Sequence, residues 1–289
     1  MNIEHYPSFQ LLICILLSLV PTIIWGYIFI KKRKKKSPRL IILTFLASTL
    51  SIFPLLLYKL SWEYFPNLNA FALANIFENK FISIADILII PVSVIVAFMI
   101  VGLIEEQTKH YVVKHVDQNR FQSIDDAIMY SIIAALGFSF SENILYFSTI
   151  WDTQGLQNLY ISFVFRSIFS TFAHILFSGI YGYFYGIAYF AKPIFREEIR
   201  QKKRYPVIKF LHNIFHIKSS ELFSHHKMFQ GLIIAILLHA VFNIFLELNM
   251  IFITVPYLIF GYSMLVYLLK KKKNHKKYER LLVAERVDD

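Results

Sequence analysis

The sequence predicts an all-α fold: a polytopic membrane helix bundle of about seven transmembrane helices, forming a single integral membrane domain over residues 1–289. Three observations predict it. The chain is 56% hydrophobic and 17% aromatic, with a mean hydropathy of +0.52, more apolar than an ordinary soluble domain. Its apolar residues gather in runs of about 20, the length that crosses a bilayer as a helix. Its basic residues stand in blocks beside those runs, as lipid-facing cytoplasmic charge does.

The runs lie at about 9–30, 40–58, 84–104, 127–147, 159–190, 229–246 and 250–269. Glu4 and His5 precede the first run and the Lys block follows it, the reverse of a secretory signal's charged n-region, so an uncleaved first span is expected. The fifth run is long enough to tilt or to project from the membrane. A very short turn around Glu247 to Asn249 joins the last two. No internal repeat is evident, and no stretch is left for a folded soluble domain.

Lys and Arg set the orientation. Residues 31–39 hold seven, 105–126 three, 191–228 nine and the tail from 270 eight, whereas the opposite side holds only Lys59 and Lys80. The positive-inside rule then puts the N-terminus outside and the C-terminus in the cytoplasm. The net charge of +11 is thereby assigned to anionic lipid, with the Lys blocks at 31–36 and 270–273 as topology determinants, and no nucleic-acid partner is expected. The single cysteine, Cys14, excludes an intrachain disulfide and is expected to pack in the first span.

One basic residue, Arg166, stands alone inside an apolar run. An intramembrane Arg faces a bundle interior with an acidic or carbonyl partner, unless it lies near a helix end and snorkels outward. The other polar residues that no surface explains are Asp86, Glu105, Glu106, Glu142, Asn143, His174, His239 and Asn243. Glu105 and Glu106 are joined directly to an apolar run, and Lys109 follows Glu105 by four residues, so the two share a helix face and are expected to pair. Glu142 has Arg166 as its salt-bridge partner or takes part in chemistry directly. His239 and Asn243 stack on one helix face, where they either bind a substrate carbonyl and orient water or bond to neighbouring helices. His174 is followed by Gly179, Gly182 and Gly186, small surfaces for close helix packing. His212, His216 and the pair His225-His226 lie in the basic segment and read as interfacial surface. Neither an HExxH nor a Gly-x-Ser-x-Gly signature is present, so any chemistry must use Glu and His.

Four blocks in order resemble those of the PrsW family of intramembrane proteases, distantly similar to type II CAAX prenyl endopeptidases. Glu105-Glu106-Gln107-Thr108-Lys109 fits EExxK, and Gly137-Phe138 through Glu142-Asn143 fits GFxxxEN. Arg166 with His174 and Gly182 fits the third block, and His239 with Asn243 fits HxxxN. The motif-bearing core covers about 84–247, with peripheral spans at 9–30, 40–58 and 250–269 and a basic cytoplasmic loop at 191–228. The family's frequent proline shortly before its Glu pair is absent; Pro91 is the nearest upstream. The resemblance implies hydrolysis of a peptide bond in a membrane-associated protein, an anti-sigma factor or similar regulator, at a bacterial plasma membrane. An ion-coupled transporter and a non-catalytic membrane chaperone are the alternatives from other classes.

Under that resemblance, Glu105 or Glu106 is the general base for water and the other orients or donates. His174, His239 and Asn243 position the water and stabilise the oxyanion, with Lys109, Glu142, Asn143 and Arg166 in support. A zinc or other divalent site is the competing version, its candidates being His174, His239 and one carboxylate, Glu142 or a member of the pair. Depth is the difficulty: on these boundaries Glu105 sits at the cytoplasmic edge, the two His near mid-membrane and Glu142 further out. One site then needs the third span shifted, starting near Pro91 and running past Val113, or a water-filled cavity; a cavity with some shift is expected.

Overall fold

The computed structural model describes residues 7–31, 37–70, 80–84 and 88–271; Lys32–Lys36, Asp86 and the tail beyond Lys271 lie outside these. The elements in order are α1 (Pro7–Ile30), α2 (Pro38–Leu50), α3 (Phe53–Tyr64), β1 (Phe81–Ile84), β2 (Leu88–Pro91), α4 (Val92–Val112), α5 (Ile124–Phe165), α6 (Thr171–Tyr189), α7 (Ala191–Arg200), α8 (Pro206–Phe215), α9 (Ser219–Glu247) and α10 (Ile251–Lys271). Among the described residues, five helical stretches are long and apolar enough to cross a membrane: Ser8–Ile30, Pro38–Tyr64, Ile124–Tyr189, Ser219–Glu247 and Ile251–Lys271. The chain is an all-α membrane protein, with one small β-hairpin among the described residues.

The stretch Ile124–Tyr189 is two arms. Gly155 breaks α5 with φ +79° and ψ 178°, a conformation that glycine enters without a Cβ penalty. Beyond it the chain runs back antiparallel. Phe147 meets Phe163 with ring centroids 6.1 Å apart, Asn143 meets Arg166 and Thr171, and Gly182 meets Ile128. A π-helical turn, Arg166–Ser170, carries the returning arm into α6.

Three boundaries differ from the sequence expectation. The run at 84–104 does not start a helix: its first part pairs as β1 and β2, with Ile82 opposite Ile90, and α4 starts only at Val92. β-branched Ile residues favour the strand, and Pro91 lacks the N–H that an earlier helix would need. α4 then passes Val112 into a π-turn, Val113–Asp117, so the Glu pair lies within a helix and not at its end. This is the shift that a single site required. The run at 40–58 is two helices, broken between Leu50 and Phe53, where Pro54, which has no N–H to continue the helix, sits in the first turn of the second. The basic segment 191–228 is largely helical, comprising α7, α8 and the first turns of α9.

α6 lies at the centre, buried along nearly its whole length. Close approach is what its neighbours need: a Cβ on Gly182 would lie 2.7 Å from Ile128 Cα of α5. Gly186 packs likewise on Ile124, whereas Gly179 meets only side-chain tips, of Leu265 on α10 and Ile132 on α5. Cys14 packs with Phe147, Ile150 and Leu159, as expected of it.

Two measurements check this packing. A Cβ on Gly137 would lie 2.4 Å from the Phe45 carbonyl oxygen of α2. Gly137→Ala should therefore lower the melting temperature in detergent, by an overpacking cost of about 1–3 kcal/mol, despite alanine's better helix propensity; a rise would contradict the contact. Asp117, at the end of the π-turn beyond α4, is fully buried, with Oδ1 2.7 Å from the donating Thr44 Oγ1. Burial pushes its carboxyl up to about 7, against the opposing pull of the Thr44 hydrogen bond and the Arg120 charge. The unfolded carboxyl ionises first, so the fold loses stability as pH rises from about 4 through 7. Asp117→Asn should raise the melting temperature at pH 8 by more than at pH 5, and an equal effect at both would contradict the burial cost.

Candidate active site

The site is assembled from four helical elements, and it starts on α4. Lys109 Nζ lies 2.7 Å from Glu106 Oε1 and 3.9 Å from Glu105 Oε2. The pair expected from the four-residue spacing, Lys109 with Glu105, is thus present, but the closer partner is Glu106, three residues away. Adjacent helix positions point about 100° apart, and Glu105 turns toward α9, where its Oε2 lies 3.3 Å from His239 Nε2. The other ring nitrogen, Nδ1, is 2.9 Å from Glu106 Oε1. His239 therefore sits between the two carboxylates, one at each nitrogen.

α6 adds His174. Its Nδ1 lies 3.0 Å from Lys109 Nζ and its Nε2 lies 2.9 Å from Glu142 Oε2. An ammonium only donates, so Nδ1 accepts from Lys109 and the Nε2 proton is given to Glu142; this tautomer is assigned from the network. On α5, Glu142 Oε2 is 2.7 Å from Arg166 Nη2, the ion pair that the lone intramembrane Arg called for. Arg166 Nε donates to Asn143 Oδ1 at 2.7 Å, and Asn143 Nδ2 donates to Thr171 Oγ1 at 3.3 Å. Arg166 also lies over the Tyr146 ring, and Lys109 over Phe138.

Burial makes this arrangement costly unless every charge is matched. Glu105, Glu106, Lys109, His174 and His239 are each only 2–3% exposed, and an ionised group so placed must be paired and hydrogen-bonded. Glu142, with its side chain 26% exposed, is the open side of the cluster. Three carboxyl groups face two permanent cations, Lys109 and Arg166. The surplus acid is what an acid–base reaction or a bound cation would use.

The two Glu residues are not equivalent. Glu106 Oε1 is held by both Lys109 and His239, whereas Glu105 Oε2 is buried with no hydrogen-bond partner. A carboxylate oxygen of Glu105, a nitrogen of His239 and a nitrogen of His174 lie within 4.8 Å of one another, a donor set fit for a metal ion. The carboxylate in this set is Glu105, not Glu142, which Arg166 and His174 already engage. Glu106 on His239 Nδ1 is the outer carboxylate that commonly orients a ligating His. His174 has both nitrogens engaged, so binding through it requires one of those contacts to give way.

Asn243 lies one turn beyond His239 on α9, partly buried, and has no side-chain hydrogen bond to the cluster. His110 and Tyr181 were not anticipated. The Tyr181 hydroxyl bonds His110 Nδ1, two turns along α6 from His174. His110 directly follows Lys109, but a span ending at residue 104 put it in a loop, where a histidine is unremarkable.

Comparison with known proteins follows the same residues. A family-level sequence model described as PrsW family intramembrane metalloprotease matches residues 36–269, taking in the second and last apolar runs and the basic segment as well as the motif-bearing core. Protease PrsW of Clostridioides difficile (strain 630) is 26% identical over 187 residues, 63% of this chain and 66% of that protein. Protease PrsW of Geobacillus kaustophilus (strain HTA426) is 36% identical over 97 residues, 33% of this chain and 40% of that protein. The chain thus spans just under two thirds of the first relative's length and less of the second's. No solved structure matches the chain. With most of its length inside the family match, the chain belongs to the PrsW family of intramembrane metalloproteases.

Proposed function

We propose that this protein is an intramembrane endopeptidase that hydrolyses a peptide bond of a membrane-associated protein substrate. The observation that carries the reading is the asymmetric Glu pair: Glu106 saturated by Lys109 and His239, and Glu105 with a buried, unbonded oxygen facing His239 Nε2. A structural ion pair has no use for an unbonded carboxylate oxygen, whereas a base for water does. The family supports the same reaction, and the proteases named above are its relatives.

In this reading Glu105 Oε2 and His239 Nε2 hold the attacking water. Glu105 takes one proton as the water oxygen bonds the scissile carbonyl carbon. Glu106 accepts from His239 Nδ1, which leaves Nε2 as the lone-pair nitrogen facing the water. Asn243 donates to the carbonyl oxygen as it becomes an oxyanion, with the Lys109 charge close by. Glu105 then returns its proton to the departing amide nitrogen as the C–N bond breaks. Glu142, Asn143 and Arg166 fix His174 from the open side, where substrate would approach. Glu105, His174 and His239 would hold a divalent metal, and such an ion, when bound, polarises the carbonyl and acidifies water.

The chain would cross a bacterial plasma membrane seven times, with its N-terminus outside: α1, α2–α3, α4, the two arms meeting at Gly155, α9 and α10. On the cytoplasmic side α8 exposes Val207, Phe210, Ile214 and Phe215 beside Lys202, Lys203, Arg204 and Lys209. That combination suits an interfacial helix on anionic lipid. The family resemblance suggests a membrane-anchored regulator such as an anti-sigma factor as the substrate.

Glu105→Gln should slow cleavage of a co-expressed single-span substrate by about 10²–10⁴-fold, the usual scale for a lost acid–base group, and Glu106→Gln by about 10–100-fold, the scale for a lost carboxylate that orients a His. Immunoblotting for intact substrate reads the effect. Unchanged cleavage in both variants would sink the protease reading, and proton-dependent uptake into proteoliposomes, lost in the same variants, would point to a carrier. For the metal, elemental analysis of purified protein should find a stoichiometric divalent ion that falls in His174→Ala and His239→Ala. Full activity in a metal-free preparation would end that version.

A further inference from the structure

Hydrolysis needs water at a cluster that the protein encloses. Two apolar grooves, about 510 Å3 beside Phe53 and Leu57 and about 320 Å3 beside Trp25 and Tyr262, are lined by no residue of the cluster. We propose that water reaches Glu105 along a polar seam between α4 and α6 that opens at Gln118. The inference rests on the hydrolase reading above and adds the route that such a site requires.

On α6, His174, Ser178, Tyr181 and Tyr185 follow one another at spacings of four, three and four, which places them on one face. The facing side of α4 carries Glu106, Lys109 and His110, and the turns beyond it carry Asp117 and Gln118. Polar contacts bridge the two helices step by step: Lys109 to His174 at 3.0 Å, Tyr181 to His110, and Tyr185 Oη donating to Gln118 Oε1 at 2.8 Å. The rings continue between these bridges. Tyr181 and Tyr185 stack with centroids 5.6 Å apart, and His110 stands edge-on to both at 5.0 and 4.9 Å.

Glu105 Oε2 at the inner end of the seam, Ser178 Oγ on the same α6 face as Tyr181 and Tyr185, and Asp117 Oδ2 in the turn beside Gln118 are all buried without a hydrogen-bond partner. Buried polar atoms that the protein leaves unbonded are where ordered water binds. The opposite side, past Glu142, is the open side of the cluster, where Arg166 pairs with Glu142 and lies over the Tyr146 ring; that side is assigned to substrate, which leaves the seam for water.

The test is one-sided thiol protection, made straightforward because Cys14 is the only native cysteine. In a Cys14→Ala background, Ser178→Cys is exposed to Ag+ in right-side-out or inverted membrane vesicles, quenched and denatured, and the surviving thiol is counted with a maleimide. Gln118→Cys and Gln157→Cys mark the two faces. Ser178→Cys should lose most of its thiol when Ag+ is applied on the Gln118 side and keep it when Ag+ is applied on the Gln157 side. His110→Cys, in the same seam, should behave alike and serves if Ser178→Cys does not fold. Protection from neither side, or from the Gln157 side alone, overturns the route. Accessibility does not depend on catalysis, so blocking from the Gln118 side in a chain that cleaves nothing would sink the hydrolase reading and leave the seam standing.

Discussion

A charge held away from water must be matched by another, and the bundle is built around meeting that condition at Glu106. Its carboxylate accepts from Lys109 on its own helix and meets His239 on α9, while Lys109 reaches His174 on α6. One buried anion thereby ties three helices. Glu142 repeats the arrangement at the open side, with Arg166 and His174. Each pair would be destabilising if either partner were missing, by more than the pair itself contributes. The helices must approach closely for such short side chains to meet, and Gly137 and Gly182 supply that approach to α2 and within the α5–α6 hairpin.

Meeting that condition leaves the two adjacent carboxylates with different environments. Glu106 is consumed by structure and Glu105 keeps an unbonded oxygen. The same asymmetry serves either version of the chemistry, since a free carboxylate oxygen beside a lone-pair nitrogen can accept a proton or ligate a cation. His239 is central to both, because Glu106 on Nδ1 fixes which nitrogen faces the reacting position. Catalytic potential here is a consequence of unequal pairing, not of the residues' identities alone.

Much of this was legible in the sequence because hydrocarbon tolerates so few polar residues. Arg166, Glu142, His174 and His239 stood out against apolar runs, and the structure brings all four into one cluster with the Glu pair. The Arg166–Glu142 pair followed from Arg166 being alone in its run. Local geometry was less legible. The β-hairpin before Pro91 hid in a run whose hydropathy resembles a helix, and the late start of α4 at Val92 moved the Glu pair from a helix end to its interior. The Glu105–Lys109 pair is present at 3.9 Å, but the closer partner, Glu106, was not singled out, because three- and four-residue spacings are both neighbours on a helix. His110, Tyr181 and Ser178 gave no signal, since the composition of a presumed loop and of an aromatic-rich span conceals single polar residues.

The central claim is that Glu105 activates water to cleave a peptide bond. Its most direct test is to incubate purified protein with membranes of the host in H2(18)O and to sequence newly formed C-termini by mass spectrometry. Wild-type protein should generate a new C-terminus carrying one 18O in its carboxylate, absent when Glu105→Gln protein is used. The same labelled terminus appearing with Glu105→Gln at undiminished yield, or no new terminus with either protein, would contradict the account.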